Sequence, residues 1–194
     1  NPQNDFNKPY DQYFYISTPS LSPVNYTIKR GSSQTIFAQG TVDNSESVVE
    51  KTGPDSTDGF LFINRGNTQE ILYDAGFIIE ADREIYVSVR FNGNLTSWGG
   101  GGGGTRNVHA GALVSKGDAA LGTKFRTAGP QTNGNNYLNF GSVMATENNT
   151  QITITPPTDE NGNYVNFDKA VTEPIILILN KGESYVVSSQ SGRN

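Results

Sequence analysis

Apolar and polar side chains alternate with a period of two along most of this chain, and turn formers break the pattern at short intervals. In Glu84-Ile85-Tyr86-Val87-Ser88-Val89-Arg90-Phe91 the residues Ile85, Val87, Val89 and Phe91 fall on one face and Tyr86, Ser88 and Arg90 on the other. Successive strand side chains point to opposite faces, so this run reads as a half-buried strand. Tyr13-Phe14-Tyr15-Ile16, Val24 to Ile28, Gln151 to Thr155 and Tyr185 to Val187 follow the same rule. The unbroken apolar run within Glu173 to Leu179 predicts a strand buried on both faces. Pro19, Gly31, Gly53-Pro54, Gly129-Pro130 and Asn161-Gly162 punctuate the runs. No stretch holds apolar spacing over three helical turns; Gly117 to Leu121 predicts one short helical turn. The pattern therefore predicts an all-β chain with no substantial helix, built as an antiparallel β-sandwich. That sandwich is either jelly-roll-like or two tandem halves. Residues 1–12 read as a polar N-terminal arm and 13–194 as the module. A faint internal echo pairs Phe14 to Val42 with Ser142 to Ser189.

Of the 194 residues, 34% are hydrophobic and only 17% charged, so the polar surface is made of Asn, Thr, Ser, Gln and Gly. Ten Phe, nine Tyr and one Trp argue against a disordered chain. The absence of Cys excludes disulfides, thiol catalysis and Cys-bound zinc. No run approaches the roughly 18 apolar residues of a membrane helix, which argues against direct membrane insertion. No amino-terminal apolar segment is flanked by Lys or Arg, so any signal peptide reads as already removed. With 14 basic against 19 acidic residues the net charge is −5, and the basic residues are scattered. Phosphate neutralisation supplies most nucleic-acid affinity, so nucleic acid is excluded as a partner, and anionic membrane surfaces are disfavoured by the same argument.

The sequence offers little for bond-breaking. His109 is the only histidine and sits in a strand-like run, where a satisfied structural role fits better than a catalytic one. Gly-x-Ser-x-Gly, Ser-x-x-Lys and His-Glu-x-x-His are all absent. Glu80, Asp82 and Glu84 alternate and form a set from which a glycosidase carboxylate pair could be drawn, but Arg83 and Arg90 nearby point to ordinary ion pairing. The chain therefore reads as a non-enzyme. Six glycines, Gly99 to Gly104, follow Trp98 and lead to Thr105-Arg106; no Lys follows them, so this is not a phosphate cradle. It reads as a surface loop in which bare backbone, the Trp98 face and Arg106 meet a ligand. Asp55 to Gly59 and Gln131 to Tyr137, with Asn135 and Tyr137, are further candidate contact loops. Asp159, Asn161 and Asn163, with Asp168 further on, offer clustered oxygen ligands of the kind calcium takes. Turns prefer the same residues, so the expectation is no cofactor other than calcium. Asn25-Tyr26-Thr27, Asn94-Leu95-Thr96 and Asn148-Asn149-Thr150 are glycosylation sequons that matter only in a host with that machinery.

Glu80 to Arg90, His109-Ala110-Gly111-Ala112-Leu113-Val114-Ser115-Lys116-Gly117 and Leu121-Gly122-Thr123-Lys124-Phe125-Arg126 together resemble the immunoglobulin-Fc-binding-protein-like amino-terminal domain of large bacterial surface proteins. Ser142 to Ile154 and Leu179 to Val187 extend the resemblance across most of residues 10–190. It implies a secreted, β-rich adhesion or ligand-binding module at the cell surface, in proteins that often carry a type IX secretion or gliding-motility-associated tail. Its partner would be a host or surface glycan or protein. The family offers no catalytic residues to carry over, and antibody binding does not follow from its name. The glycine run departs from the family, where shorter polar loops are usual. The family domain also continues past Val187 into more strands, which implies a fragment here or a strand supplied by another chain. The alternative expectation is a structural subunit of an extracellular filament or sheath, with neighbouring copies joined by strand addition.

Overall fold

β-branched and aromatic residues in alternation leave this chain one economical way to satisfy its backbone, which is pairing between strands. The computed structural model describes residues 2–3, 9–52, 63–93, 110–115, 117–126, 140–164 and 167–188. Strands follow in the order β1 (Pro2–Gln3), β2 (Pro9–Ser17), β3 (Val24–Arg30), β4 (Ile36–Val42), β5 (Val48–Lys51), β6 (Ile63–Asn64), β7 (Ile71–Leu72), β8 (Phe77–Ala81), β9 (Tyr86–Gly93), β10 (Ala110–Val114), β11 (Phe140–Met144), β12 (Thr150–Ile154), β13 (Ile175–Leu179) and β14 (Ser184–Ser188). Among the described residues the helical content is two 3-10 turns, Arg65–Asn67 and Gly117–Ala120. The second lies where the sequence predicts a helical turn. Every pairing is antiparallel except the two-residue β1–β6 ladder.

Two sandwiches result. In the first, a four-stranded sheet ordered β10-β9-β2-β5 faces a three-stranded sheet ordered β4-β3-β8. Phe14, Ile16, Val24, Tyr26, Ile28, Val42 and Val87 form its buried core. Phe77 lies edge-on to Phe14 at 5.1 Å and to Phe37 at 5.2 Å, the geometry that aligns ring edges with ring faces. The Tyr26 hydroxyl donates to Glu50 Oε1 at 2.5 Å, tying β3 to β5 across the two sheets. Burial, the hydrogen bond to Glu50 and its negative charge all push the Tyr26 hydroxyl up. Tyr26→Phe leaves that carboxylate without its donor, so a loss of about 1–3 kcal/mol is expected in urea unfolding. A change within error would remove this bond from the account.

In the second sandwich, a sheet ordered β11-β14-β7 faces the two-stranded sheet β12-β13. Its core is Ala145, Leu179 and Tyr185, with Val143, Ile152, Ile154, Ile175, Leu177 and Val187 packed around them. The apolar run in β13 is not buried on both faces as its sequence predicts. Ile176 and Ile178 are 65% and 59% exposed, because the β12-β13 sheet packs on one side only. Likewise β2 begins at Pro9, inside the stretch read as an arm, and Gln12 is buried.

The two sandwiches repeat one design. β2 pairs with β9 and β3 with β8; β11 pairs with β14 and β12 with β13. Just after the first strand of each unit, Thr18 Oγ1 donates to Glu84 O at 2.6 Å, and Ala145 N to Glu183 O at 3.0 Å. Both acceptors open a Glu-x-Tyr-Val segment, Glu84 to Val87 and Glu183 to Val186, whose valines are buried. The echo read from sequence finds the first two strands, but the closing pair of the first unit is β8–β9 rather than β4. The first unit inserts β4 to β7 between its middle strands. Among the described residues, β12 and β11 have no neighbour in the places that β4 and β5 take beside β3 and β2.

The units meet at two glycines. A Cβ on Gly31, at the end of β3, would stand 2.5 Å from the Gly182 carbonyl oxygen; Gly182, before β14, has φ of 81°. Beside them Glu80 accepts from Lys29 Nζ at 2.5 Å and lies 3.7 Å from Lys181 Nζ. The hydrogen bond from Lys29 and then the charges of both lysines hold the Glu80 carboxyl below its ordinary value of 4.5. A depressed carboxyl stabilises the fold above that ordinary value and loses the effect as pH falls through the lowered one. Glu80→Gln is expected to melt below the parent chain at neutral pH and to converge with it in acid, followed by circular dichroism. Parallel melting curves at all pH values would remove Glu80 from the junction.

Candidate functional site

On β2 the alternation sends Gln12, Phe14 and Ile16 inward and leaves Tyr13, Tyr15 and Ser17 on the outer face of the four-stranded sheet. The ladder register then assembles rows across it. Tyr13 stands opposite Lys51 of β5 and Arg90 of β9, and Arg90 opposite Ala112 of β10. The next row is Val49, Tyr15, Ser88 and Val114, followed by Ser17 opposite Tyr86. Cross-strand neighbours on one face interact directly and diagonally. The Arg90 guanidinium lies 4.7 Å from the Tyr15 ring centre, Lys51 Nζ 5.9 Å from that of Tyr13, and the two rings are 6.3 Å apart. Arg90 is exposed and takes part in none of the ion pairs among the described residues. The Tyr86 hydroxyl is raised by its hydrogen bond to Glu84 and by that carboxylate's charge.

This face combines fixed cations, phenolic and serine hydroxyls, and apolar margins at Val49 and Val114. A stacked guanidinium keeps its N–H edges for a partner while the ring restricts its rotamers. The arrangement can bind and orient an anionic or hydroxylated partner. Sequence reasoning missed it because the tyrosines and Arg90 lie far apart in sequence and only the register joins them. The signal was the polar face of Glu84 to Phe91 set beside Tyr13-x-Tyr15.

Trp98, Gly99, Gly104 and Arg106 fall in the β9–β10 connection, and His109 with them, outside the described residues. The connection leaves and rejoins this sheet at Gly93 and Ala110. Asn135, Tyr137, and the loops Asp55 to Gly59 and Gln131 to Tyr137 also lie outside the described residues. Asp159, Asn161 and Asn163 share one turn, in which Asp159 Oδ1 accepts the N–H of Asn161 at 2.9 Å and of Asn163 at 2.8 Å. The Asn163 and Asn161 N–H groups hold the Asp159 carboxyl below its ordinary value. Asp168 is fixed instead by its N–H, which donates to Ser188 O at 2.7 Å. Among the described residues no three His, Asp or Glu side chains converge to hold a metal ion.

The alternating carboxylates go separate ways. Glu80 meets the lysines, Asp82 accepts from the Asn25 backbone N–H at 3.0 Å and its Nδ2 at 2.8 Å, and Glu84 serves Tyr86. No helix among the described residues is long and apolar enough to cross a membrane.

Residues 110–193 match the model of a family described as IgGFc binding protein. No curated protein and no solved structure matches the chain. The matched span opens with β10, the edge strand of the tyrosine-bearing sheet, and runs through the whole of β11 to β14. The segment Glu80 to Arg90 lies outside it. From β10 onward, therefore, this chain is similar to the IgGFc binding protein family.

Proposed function

We propose that this chain is an extracellular, non-catalytic adhesion module of a large bacterial surface protein. It engages a host or surface glycan or protein through the outer face of the β10-β9-β2-β5 sheet. The observation that carries the reading is Arg90 stacked on Tyr15 and open to solvent on a face without a covering layer among the described residues. The family likeness, whose printed name describes binding, supports it. The separate engagements of Glu80, Asp82 and Glu84 support the non-catalytic part. Beads coated with the full chain, presented to an array of extracellular glycans and glycoproteins, are expected to bind selectively. Arg90→Gln should reduce that binding while the melting temperature stays within a degree or so. Equal binding by parent and variant would remove this face as the site.

The strand-addition reading has its own support. β12 is a neutral strand, Thr-Gln-Ile-Thr-Ile, whose outer edge holds no strand among the described residues where β4 sits in the first unit. Native edges are usually blunted by charge or proline, and this one is not. Thr153→Lys should abolish any concentration-dependent association seen by sedimentation. A parent chain that sediments as a monomer at high concentration would end the filament reading.

A further inference from the structure

We infer that the edge of β12 pairs antiparallel with β12 of a second copy of this chain, about a two-fold axis at Ile152; this rests on the strand-addition reading above and names its partner. The two units differ at this strand. β3, flanked by β4 and β8, buries Val24, Tyr26 and Ile28. Its counterpart β12 has β13 on one side and no strand on the other among the described residues, and its inward Ile152 and Ile154 are only half-buried. A strand in the place that β4 takes would cover them further.

Other edges are less suited. β4, β10 and β11 each contain a glycine, which weakens a strand, and β5 and β8 carry charge. β12 has neither. β13 has neither too, but its outer edge answers to that of β8, where the first unit holds no strand among the described residues either.

The β12 sequence suits a copy of itself. Gln151 and Thr153 are exposed on its outer face, while Thr150, Ile152 and Ile154 turn inward. With the axis at Ile152, antiparallel pairing sets Ile152 opposite its own copy, Thr150 opposite Ile154 and Gln151 opposite Thr153. Inward side chains meet inward ones, and outward polar groups meet outward polar groups. All five residues of the strand then pair, whereas an axis at Gln151 or Thr153 leaves three pairs within it. An axis between two residues would set inward side chains against outward ones. The strand is bounded by Asn149 at φ 58° and, one residue beyond its other end, by Pro156-Pro157, which donate no N–H.

Charge favours the same meeting point. Two copies at net charge −5 repel each other over most of their surfaces, but β12 and β13 contain no charged residue, so this edge opposes no like charges. An edge that pairs with itself is used up in the pair, so assembly stops at two copies; a filament needs a second, different edge. A ladder this short makes a weak dimer, populated at high micromolar to millimolar chain.

The test is sedimentation of the full chain over a concentration series reaching millimolar, with two double variants on the exposed outer positions. The parent is expected to pass from monomer to dimer and no further. Gln151→Lys with Thr153→Lys opposes like charges twice across the axis and should weaken the dimer about tenfold or more. Gln151→Lys with Thr153→Glu opposes unlike charges in the antiparallel register and should dimerise at least as well as the parent. Parallel pairing would set like against like in both variants, so dissociation of both would overturn the antiparallel register. Equal melting temperatures in dilute solution establish that the variants are folded; if the double-lysine variant melts lower, the Lys and Glu combination decides. Dimerisation of the double-lysine variant at the parent's strength would move the interface away from β12 and overturn the inference. Growth of the parent beyond two copies, sensitive to the lysines, would keep strand addition at β12 and overturn the two-fold pairing. A parent that stays monomeric throughout would end both.

Discussion

Gly182→Ala is expected to cost the protein about 2–5 kcal/mol, the sum of two separate penalties. The first is conformational. Gly182 sits at φ 81°, in the left-handed region, where a Cβ costs about 1–2 kcal/mol. The second is steric. The added Cβ would run into the Gly31 carbonyl group and stand 2.7 Å from the Ser32 nitrogen. Those atoms are backbone, and they belong to the turn that leaves β3, so they cannot swing aside as a side chain would. Overpacking of this kind adds about 1–3 kcal/mol. In thermal melts the combined effect is a drop on the order of 10 °C for a chain of this length. Gly162 provides the control. It has φ of 80° but open space around its missing Cβ, so Gly162→Ala incurs the conformational penalty alone. The difference between the two variants isolates the close approach of the sandwiches. Gly31→Ala strikes the same contact from the other side, so the double variant should be less than additive. Gly182→Ala melting no lower than Gly162→Ala would mean the two turns do not touch in solution.

The parts of the fold legible in the sequence were those set by local pattern. Tyr13-Phe14-Tyr15-Ile16 and Glu84 to Phe91 carry their own faces in the alternation, and the structure buries Phe14, Ile16 and Val87 as that alternation requires. What the pattern cannot carry is partnership. The apolar run at Ile175 to Leu179 has the composition of a doubly covered strand, yet among the described residues its sheet is packed on one side only and Ile176 and Ile178 stay exposed. The number of layers over a strand is decided by segments distant in sequence. The candidate site was hidden for the same reason. Tyr13, Lys51 and Arg90 become neighbours only through two antiparallel registers, and no spacing rule links residues nearly forty positions apart. The duplication was half visible: the short strands echo each other, but the insert holding β4 to β7 moved the closing pair of the first unit far from where the eye seeks it.

That duplication carries an expectation about how the molecule comes apart. Leu179 is fully buried and is the largest aliphatic side chain of the second buried cluster, which among the described residues has three members where the first has seven. Leu179→Ala removes its transfer energy and leaves a cavity, a loss of about 2–5 kcal/mol. So small a core has little in reserve, and the second sandwich should open by itself. Hydrogen exchange should then show amides of β12 and β13 losing protection while those of β2 and β3 keep theirs. Ile28→Ala, an equally buried site in the first core, should behave differently. The second sheet borrows β7 from the insert of the first unit, through the pairs Ser184–Leu72 and Tyr185–Ile71, and its Gly182 turn rests on Gly31. Loosening the first sandwich withdraws both supports, so protection should fall in both units together. The dependence thus runs one way, from the unit that lends a strand to the unit that receives it. If Leu179→Ala strips protection from β2 and β3 as well, the sandwiches form one cooperative unit and the borrowed strand does not set the order of unfolding.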